Sequence, residues 1–133
     1  MSAISYRVNP PLADADLNAL FTRSWPNYQP RKFKLVLEQS LAFVGAYSGE
    51  RLVGFVNTAT DGGAHAFLLD PTVDPDFRRQ GIGGAMVRMA VDLARVAGCE
   101  WLHVDYEPTL RRFYGKVGFR ETDAGLINLA GPG

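Results

Sequence analysis

The stretch Val73-Asp74-Pro75-Asp76-Phe77-Arg78-Arg79-Gln80-Gly81-Ile82-Gly83-Gly84 decides how this chain is read. It leaves an apolar run, crosses a polar loop and opens through glycines onto a long amphipathic segment. Ile82, Met86, Met89, Ala90, Leu93 and Ala97 share one helical stripe. Arg88, Asp92 and Arg95 lie largely off it, and Gly98 is placed to end the helix. Glycines at a helix start let backbone approach a ligand without Cβ interference, and the unpaired N–H groups of the first turn point to one place. The helix dipole adds roughly half a positive charge there, which Arg78 and Arg79 reinforce, so the segment predicts a local anion site that suits a pyrophosphate.

Three other readings compete for the same glycines. A solvated basic loop would use them only to turn. A nucleoside-triphosphate loop would carry Lys and then Ser or Thr after its second glycine, and neither is present. A dinucleotide fingerprint would put a third glycine where Met86 stands and a strand directly before Gly81, although Glu100 lies near the distance of its ribose-binding acid.

Upstream, Ile4 to Val8 reads as a short strand ended by Asn9-Pro10-Pro11. Asp14 or Asp16 can cap a helix whose inner face is Leu17, Leu20 and Phe21, closed by Pro26, and a second short helix falls around Phe33 to Glu38. The apolar runs Leu41 to Tyr47 and Leu52 to Ala59 flank Ser48-Gly49-Glu50-Arg51 and form a hairpin. A third run, Ala66 to Leu69, continues past Pro71 to Val73, and the proline predicts an irregularity near Asp70 to Thr72. Downstream, Trp101 to Tyr106 reads as a strand, Pro108 as the start of a helix through Tyr114 and Lys116 that ends at Gly118-Phe119, and Gly125 to Leu129 as a final strand. This order gives one mixed α/β (α+β) domain over 1–133, with antiparallel and parallel parts.

Composition narrows the function. Fourteen Lys and Arg offset fourteen Asp and Glu, which argues against the broad basic surface of a nucleic-acid binder, so a nucleic-acid-binding domain with a basic loop is disfavoured. No window approaches the roughly 18 apolar residues of a membrane span, and no leader pattern opens the chain, so a soluble cytoplasmic protein is expected. The single cysteine, Cys99, reads as a small buried apolar residue, and no pair among His65, Cys99 and His103 has metal-ligand spacing, so no metal is expected.

The run from Val73 to Gly84 resembles the Arg/Gln-x-x-Gly-x-Gly/Ala motif of the GNAT (general-control-related N-acetyltransferase) superfamily, matched at Arg78, Gly81 and Gly83. Leu110-Arg111-Arg112-Phe113-Tyr114-Gly115-Lys116-Val117-Gly118-Phe119 resembles that family's Phe-Tyr-x-Lys-x-Gly-Phe segment, at the usual spacing. The resemblance covers nearly the whole chain. It implies a partly antiparallel central sheet of about six or seven strands, flanked by about four helices, with splayed central strands. It further implies acetyl-CoA as acyl donor, bound by backbone of Thr72 and Val73 along the pantetheine arm and by Arg78, Arg79, Gln80, Gly81, Ile82, Gly83 and Gly84 at the pyrophosphate, with Phe113 and Tyr114 beside it.

The implied reaction is direct acetyl transfer to an amine, on a small molecule or a protein amino group; a homodimer is compatible with it. Tyr114 matches the family tyrosine that faces the cofactor sulfur. Its phenol stays protonated at neutral pH and can hand a proton to a departing thiolate of pKa about 8.5. An amine of pKa about 10.4 is only about one part in 10³ neutral at pH 7, so a base or water chain is expected, and Glu107 or Asp105 could supply it. Glu107 departs from the family's usual Asn, and Leu110 stands where a small residue is usual; capping of the helix at Pro108 is the first reading of Glu107. Trp25-Pro26-Asn27-Tyr28 falls where the family builds its acceptor wall; core packing is the equal alternative for these aromatics. The alternative from another class is a non-catalytic acyl-CoA-binding sensor or assembly module, because cofactor residues alone do not demonstrate transfer.

Overall fold

Glycine at position 49 takes a left-handed turn (φ 61°) and folds β2 (Ala42–Ser48) back on β3 (Arg51–Thr60), which is the hairpin the sequence predicts. Around that hairpin, the computed structural model, which describes residues 3–131, adds β1 (Ile4–Val8), α1 (Asp14–Ser24) and α2 (Lys34–Gln39) before it. After it come β4 (His65–Val73), α3 (Ile82–Val96), β5 (Trp101–His103) and α4 (Arg111–Val117). Short 3-10 turns at Pro75–Phe77 and Pro108–Leu110 lead into the last two helices' approaches. The sheet runs β1-β2-β3-β4-β5; its first three pairings are antiparallel and β4–β5 is parallel.

The two sheet faces are filled differently. Under α3 and α4, Val44, Val53, Val56 and Leu68 meet Ile82, Met86, Val87, Ala90 and Tyr114. Burying a side chain the size of Met86 or Val87 contributes about 1.5–3 kcal/mol, so the apolar stripe of α3 accounts for much of its docking. Gly54 permits it: a Cβ there would meet Met86 Cε and Sδ at 3.0 Å. On the opposite face Leu17, Leu20 and Phe21 of α1 pack with Phe33, Tyr47, Leu52 and Phe55. Asp16, not Asp14, closes the start of α1 by accepting the Ala13 N–H (3.0 Å); Asp14 instead accepts the Phe33 N–H (2.8 Å) and ties down the loop after the helix.

Four expectations need correction. Among the described residues the sheet has five strands, not six or seven, with four α-helices about it. Gly125 to Leu129 forms no strand, because it has no neighbour to pair with, and residues 120–131 are all exposed. The strand from Trp101 stops at His103 rather than Tyr106, where β4 ceases to be its partner. Finally, Glu107 occupies the cap position before Pro108, yet its carboxylate accepts no capping hydrogen bond. Among the described residues no helix is long and apolar enough to cross a membrane.

Candidate active site

β4 belongs to two partners at one end and to one at the other. Toward β5 it pairs only at His65, Ala66 and Phe67, opposite Trp101, Leu102 and His103. Beyond Phe67 the two strands part, and β4 continues against β3 alone, with Phe55 opposite Thr72 and Gly54 opposite Val73. The register shifts between Phe55 and Asn57, and Asp70 adopts a left-handed backbone (φ 54°) just before Pro71. The irregularity expected from Pro71 is therefore present. An aspartate can hold that conformation because its short side chain tolerates it better than most.

The gap opens into a cleft of about 1020 Å³, lined by Trp25, Asp70, Asp105, Glu107, Tyr114 and Asp123 among others. Asp70 is half-buried, and burial raises its carboxyl above the ordinary value, an effect that the Arg31 charge partly opposes. Asp105 and Glu107 are exposed at the rim. Tyr114 is 2% exposed, stacked on Tyr106 (centroids 4.7 Å apart) and edge-on to Phe113 and Phe119. Burial raises the Tyr114 phenol above 10.0, and the Asp105 charge adds to the rise. Arg111 is paired with Glu121 (2.7 Å), leaving the cleft mouth predominantly acidic.

The glycine loop lies behind this cleft. Gly81 (φ 79°) and Arg79 (φ 64°) are both left-handed, and the Ala85 N–H is the first to bond back, to the Gly81 carbonyl (3.0 Å). The N–H groups of Ile82, Gly83 and Gly84 precede it and have no acceptor within the helix. Arg78, Arg79 and Gln80 are exposed, and among the described residues neither arginine is in an ion pair. The glycines differ in direction. A Cβ on Gly83 would face inward, 3.5 Å from Phe113 Cζ and 3.6 Å from Val73 Cγ2, whereas one on Gly84 would meet only the exposed Arg88 guanidinium. Val73, Gly83 and Phe113 are thus brought close together, while Asp70, Asp105, Glu107 and Tyr114 line one cleft.

The base of the loop is pinned by Asp74, fully buried, which accepts from Arg23 Nε (2.7 Å), Arg51 Nη2 (2.9 Å) and the Asp76 N–H (2.9 Å). Burial alone would raise its carboxyl, but these donors outweigh that and hold it below the usual carboxylate range. Asp70 was missed by sequence reasoning: its one signal was the adjoining Pro71, read for backbone only. Trp25 serves both readings given to the aromatics after α1, stacking on Phe21 (4.4 Å) while lining the cleft. Cys99 is only partly buried.

Comparison with known proteins gives one consistent result. The model of the "Acetyltransferase (GNAT) family" matches residues 13–119. An uncharacterised N-acetyltransferase of Porphyra purpurea is 28% identical over 106 residues, covering 77% of this chain and 61% of that protein. A probable glucosamine 6-phosphate N-acetyltransferase of Oryza sativa subsp. japonica is 40% identical over 60 residues, 45% of this chain and 36% of that one. This chain spans about three fifths of the length of the first of these relatives. In fold, it is similar to a GNAT family acetyltransferase of Streptococcus pneumoniae TIGR4 (TM-score 0.79, 23% identity, 96% of this chain and 99% of that one). It is also similar to the aminoglycoside N-acetyltransferase AAC(6')-Iy in complex with CoA (TM-score 0.74, 18% identity, 96% and 95%).

Proposed function

We propose, from the premise that this chain belongs to the GNAT acetyltransferase family, that it transfers an acetyl group from acetyl-CoA directly to an amine. The observation that carries this reading is the parting of β4 and β5 beyond Phe67 and His103, which opens a cleft lined by Tyr114 and Asp70, together with the glycine-led helix start at Gly81 that follows β4 in the chain. The pantetheine arm runs along the backbone at Thr72 and Val73, and the pyrophosphate lies on the N–H groups from Arg79 to Gly84, beside the Arg78 charge. These backbone donors are fixed before the ligand arrives, so little ordering is needed on binding.

In the reaction the amine nitrogen forms a bond to the thioester carbonyl carbon, the C–S bond breaks, and the electron pair leaves on sulfur. A backbone N–H near Val73 stabilises the oxygen as it becomes anionic. The nitrogen becomes acidic as it attacks, and its proton passes to a carboxylate. Asp70 is the better-supported acceptor, because its half-buried carboxyl is more basic than an ordinary one, while Asp105 and Glu107 sit exposed at the rim and help hold a cation. The raised pKa of Tyr114 changes the role given to it. An ordinary phenol is already a weaker acid than an ordinary thiol, and the rise at Tyr114 makes full proton transfer to the thiolate more unfavourable still. Tyr114 therefore donates a hydrogen bond to the departing sulfur, and coenzyme A takes its proton from solvent.

The acceptor is an amine, on a small molecule or a protein, that arrives as a cation, gives one proton to solvent to expose its lone pair, and gives the second to the carboxylate as it attacks. Asp70, Asp105, Glu107 and Asp123 around the cleft support this, with Arg111 occupied by Glu121. Release of thiol from acetyl-CoA over a panel of amines tests the reading, and Asp70→Asn tests the base. The variant is expected to lose about 10²-fold or more in turnover and the acidic limb of its pH–rate profile, which in the parent lies above the ordinary carboxylate range. Cofactor binding without thiol release on any amine would instead favour an acyl-CoA-binding module.

A further inference from the structure

The chain has two histidines, 38 positions apart, and the sheet brings them together. Parallel pairing sets His65 opposite Trp101 and Phe67 opposite His103. Because side chains alternate along a strand, His65 and Phe67 share the face opposite to Ala66 and Leu68, which are buried beneath α3. On that outer face His65 Nδ1 and His103 Nε2 lie 2.7 Å apart. The ring of Phe67 stacks on His103 (centroids 4.7 Å, planes 17° apart), which restricts the imidazole to one orientation. His103 is exposed and His65 partly so, which leaves solvent access to the point where the two nitrogens meet.

We propose that His65 and His103 are a chelating pair for a divalent transition-metal ion, Cu²⁺ first, with Zn²⁺ and Ni²⁺ binding more weakly. Two imidazole nitrogens bound at about 2.0 Å, subtending 90–109° at the ion, lie roughly 2.8–3.3 Å apart, so the pair must open by a few tenths of an ångström and the rings must turn until both lone pairs meet the ion off the line between the nitrogens. The proton balance is simple. In the hydrogen-bonded pair one facing nitrogen carries a proton; on metal binding that proton moves through solvent to the far nitrogen of the same ring. Each ring then keeps one proton and presents a lone pair to the ion.

Among the described residues no group of three His, Cys, Asp or Glu converges, so the remaining coordination positions fall to solvent. The site stands at the opposite end of β4 from Thr72 and Val73 and clamps the edge strand where it has only three paired residues.

The test uses the full chain in a Cys99→Ser background, which removes the one thiol. Calorimetric titration with Cu²⁺ is expected to give one ion per chain, with a nitrogen-ligated Cu²⁺ spectrum, tighter than Zn²⁺ or Ni²⁺. His65→Ala and His103→Ala are each expected to weaken binding at least tenfold and to abolish the rise in Tm that saturating metal produces in the parent. As a measurement without a His variant, sub-stoichiometric Cu²⁺ is expected to broaden both histidine ring resonances together. Unchanged affinity in both His variants, broadening of only one ring, or no saturable binding would overturn the proposal.

Discussion

The two sides of β4 are built on opposite plans. Toward β3, Gly54, Phe55 and the residues from Asn57 to Thr60 find partners on β4, Val56 alone being skipped at the register shift; Leu52 to Thr58 are buried, and α1 and α3 cover the two faces. Toward β5, pairing lasts three residues, the strand is half exposed, and residues 120–131 lie open to solvent. The antiparallel side carries the stability because each of its residues gains both a ladder and a core contact. The parallel side leaves backbone and ionisable groups unclaimed, which is what a site needs. Low local packing and chemical availability are here the same property.

Four substitutions probe that division. The largest effect is expected on the open side: Tyr114→Phe keeps the ring stack with Tyr106 but removes the donor to sulfur, and single-turnover acetyl transfer should fall by about 10²–10³ with cofactor affinity retained. A rate within about twofold of the parent would make Tyr114 a packing residue. Next is Asp74→Ala, on the closed side, which takes the shared acceptor from Arg23 and Arg51; urea unfolding should show a loss of about 2–3 kcal/mol. Because the folded pKa of Asp74 is depressed, its contribution is fully present above the unfolded value of about 3.9 and is lost as pH falls through the lower folded value. The acid-unfolding curve of the variant should thus be shallower than the parent's.

Gly84→Asp separates loop from fold more finely. Its side chain points to Arg88 and solvent, and a carboxylate in the first turn suits the helix dipole, so the protein should stay folded. The same charge opposes pyrophosphate, and calorimetry should show acetyl-CoA binding weakened at least tenfold. Equal affinity would move the anion site elsewhere. The smallest effect is expected for Ile127→Ser, since Ile127 is 79% exposed: a stability change within about 0.5 kcal/mol, checked by the same unfolding curves. A larger loss would mean that the segment after α4 contributes to the core after all.

Features set by neighbouring residues were legible in the sequence. Gly49 marked the hairpin, Pro71 marked the irregularity in β4, and the stripe from Ile82 to Leu93 marked α3, which ends at Val96, two residues before Gly98. Features set by distant chain were not. Whether Gly125 to Leu129 becomes a strand depends on a neighbour that local apolarity does not report. Asp70 owes its basicity to burial by elements far from it in sequence, and His65 meets His103 only through strand register. The glycines give an intermediate case: the motif located the loop, but only the helix orientation tells that Gly83 faces Phe113 while Gly84 faces outward.

On the proposed function, Asp74 also joins parts that face different ligands. Arg23, one of its two arginine partners, stands near the end of α1, two residues before Trp25 on the cleft wall, while Asp74 itself begins the loop leading to Gly81. The carboxylate is a strut between the acceptor's wall and the cofactor's cradle. An acceptor that shifts the end of α1 loads that strut at the root of the loop, and by thermodynamic linkage a cofactor that tightens the loop presses back on the acceptor wall to the same degree.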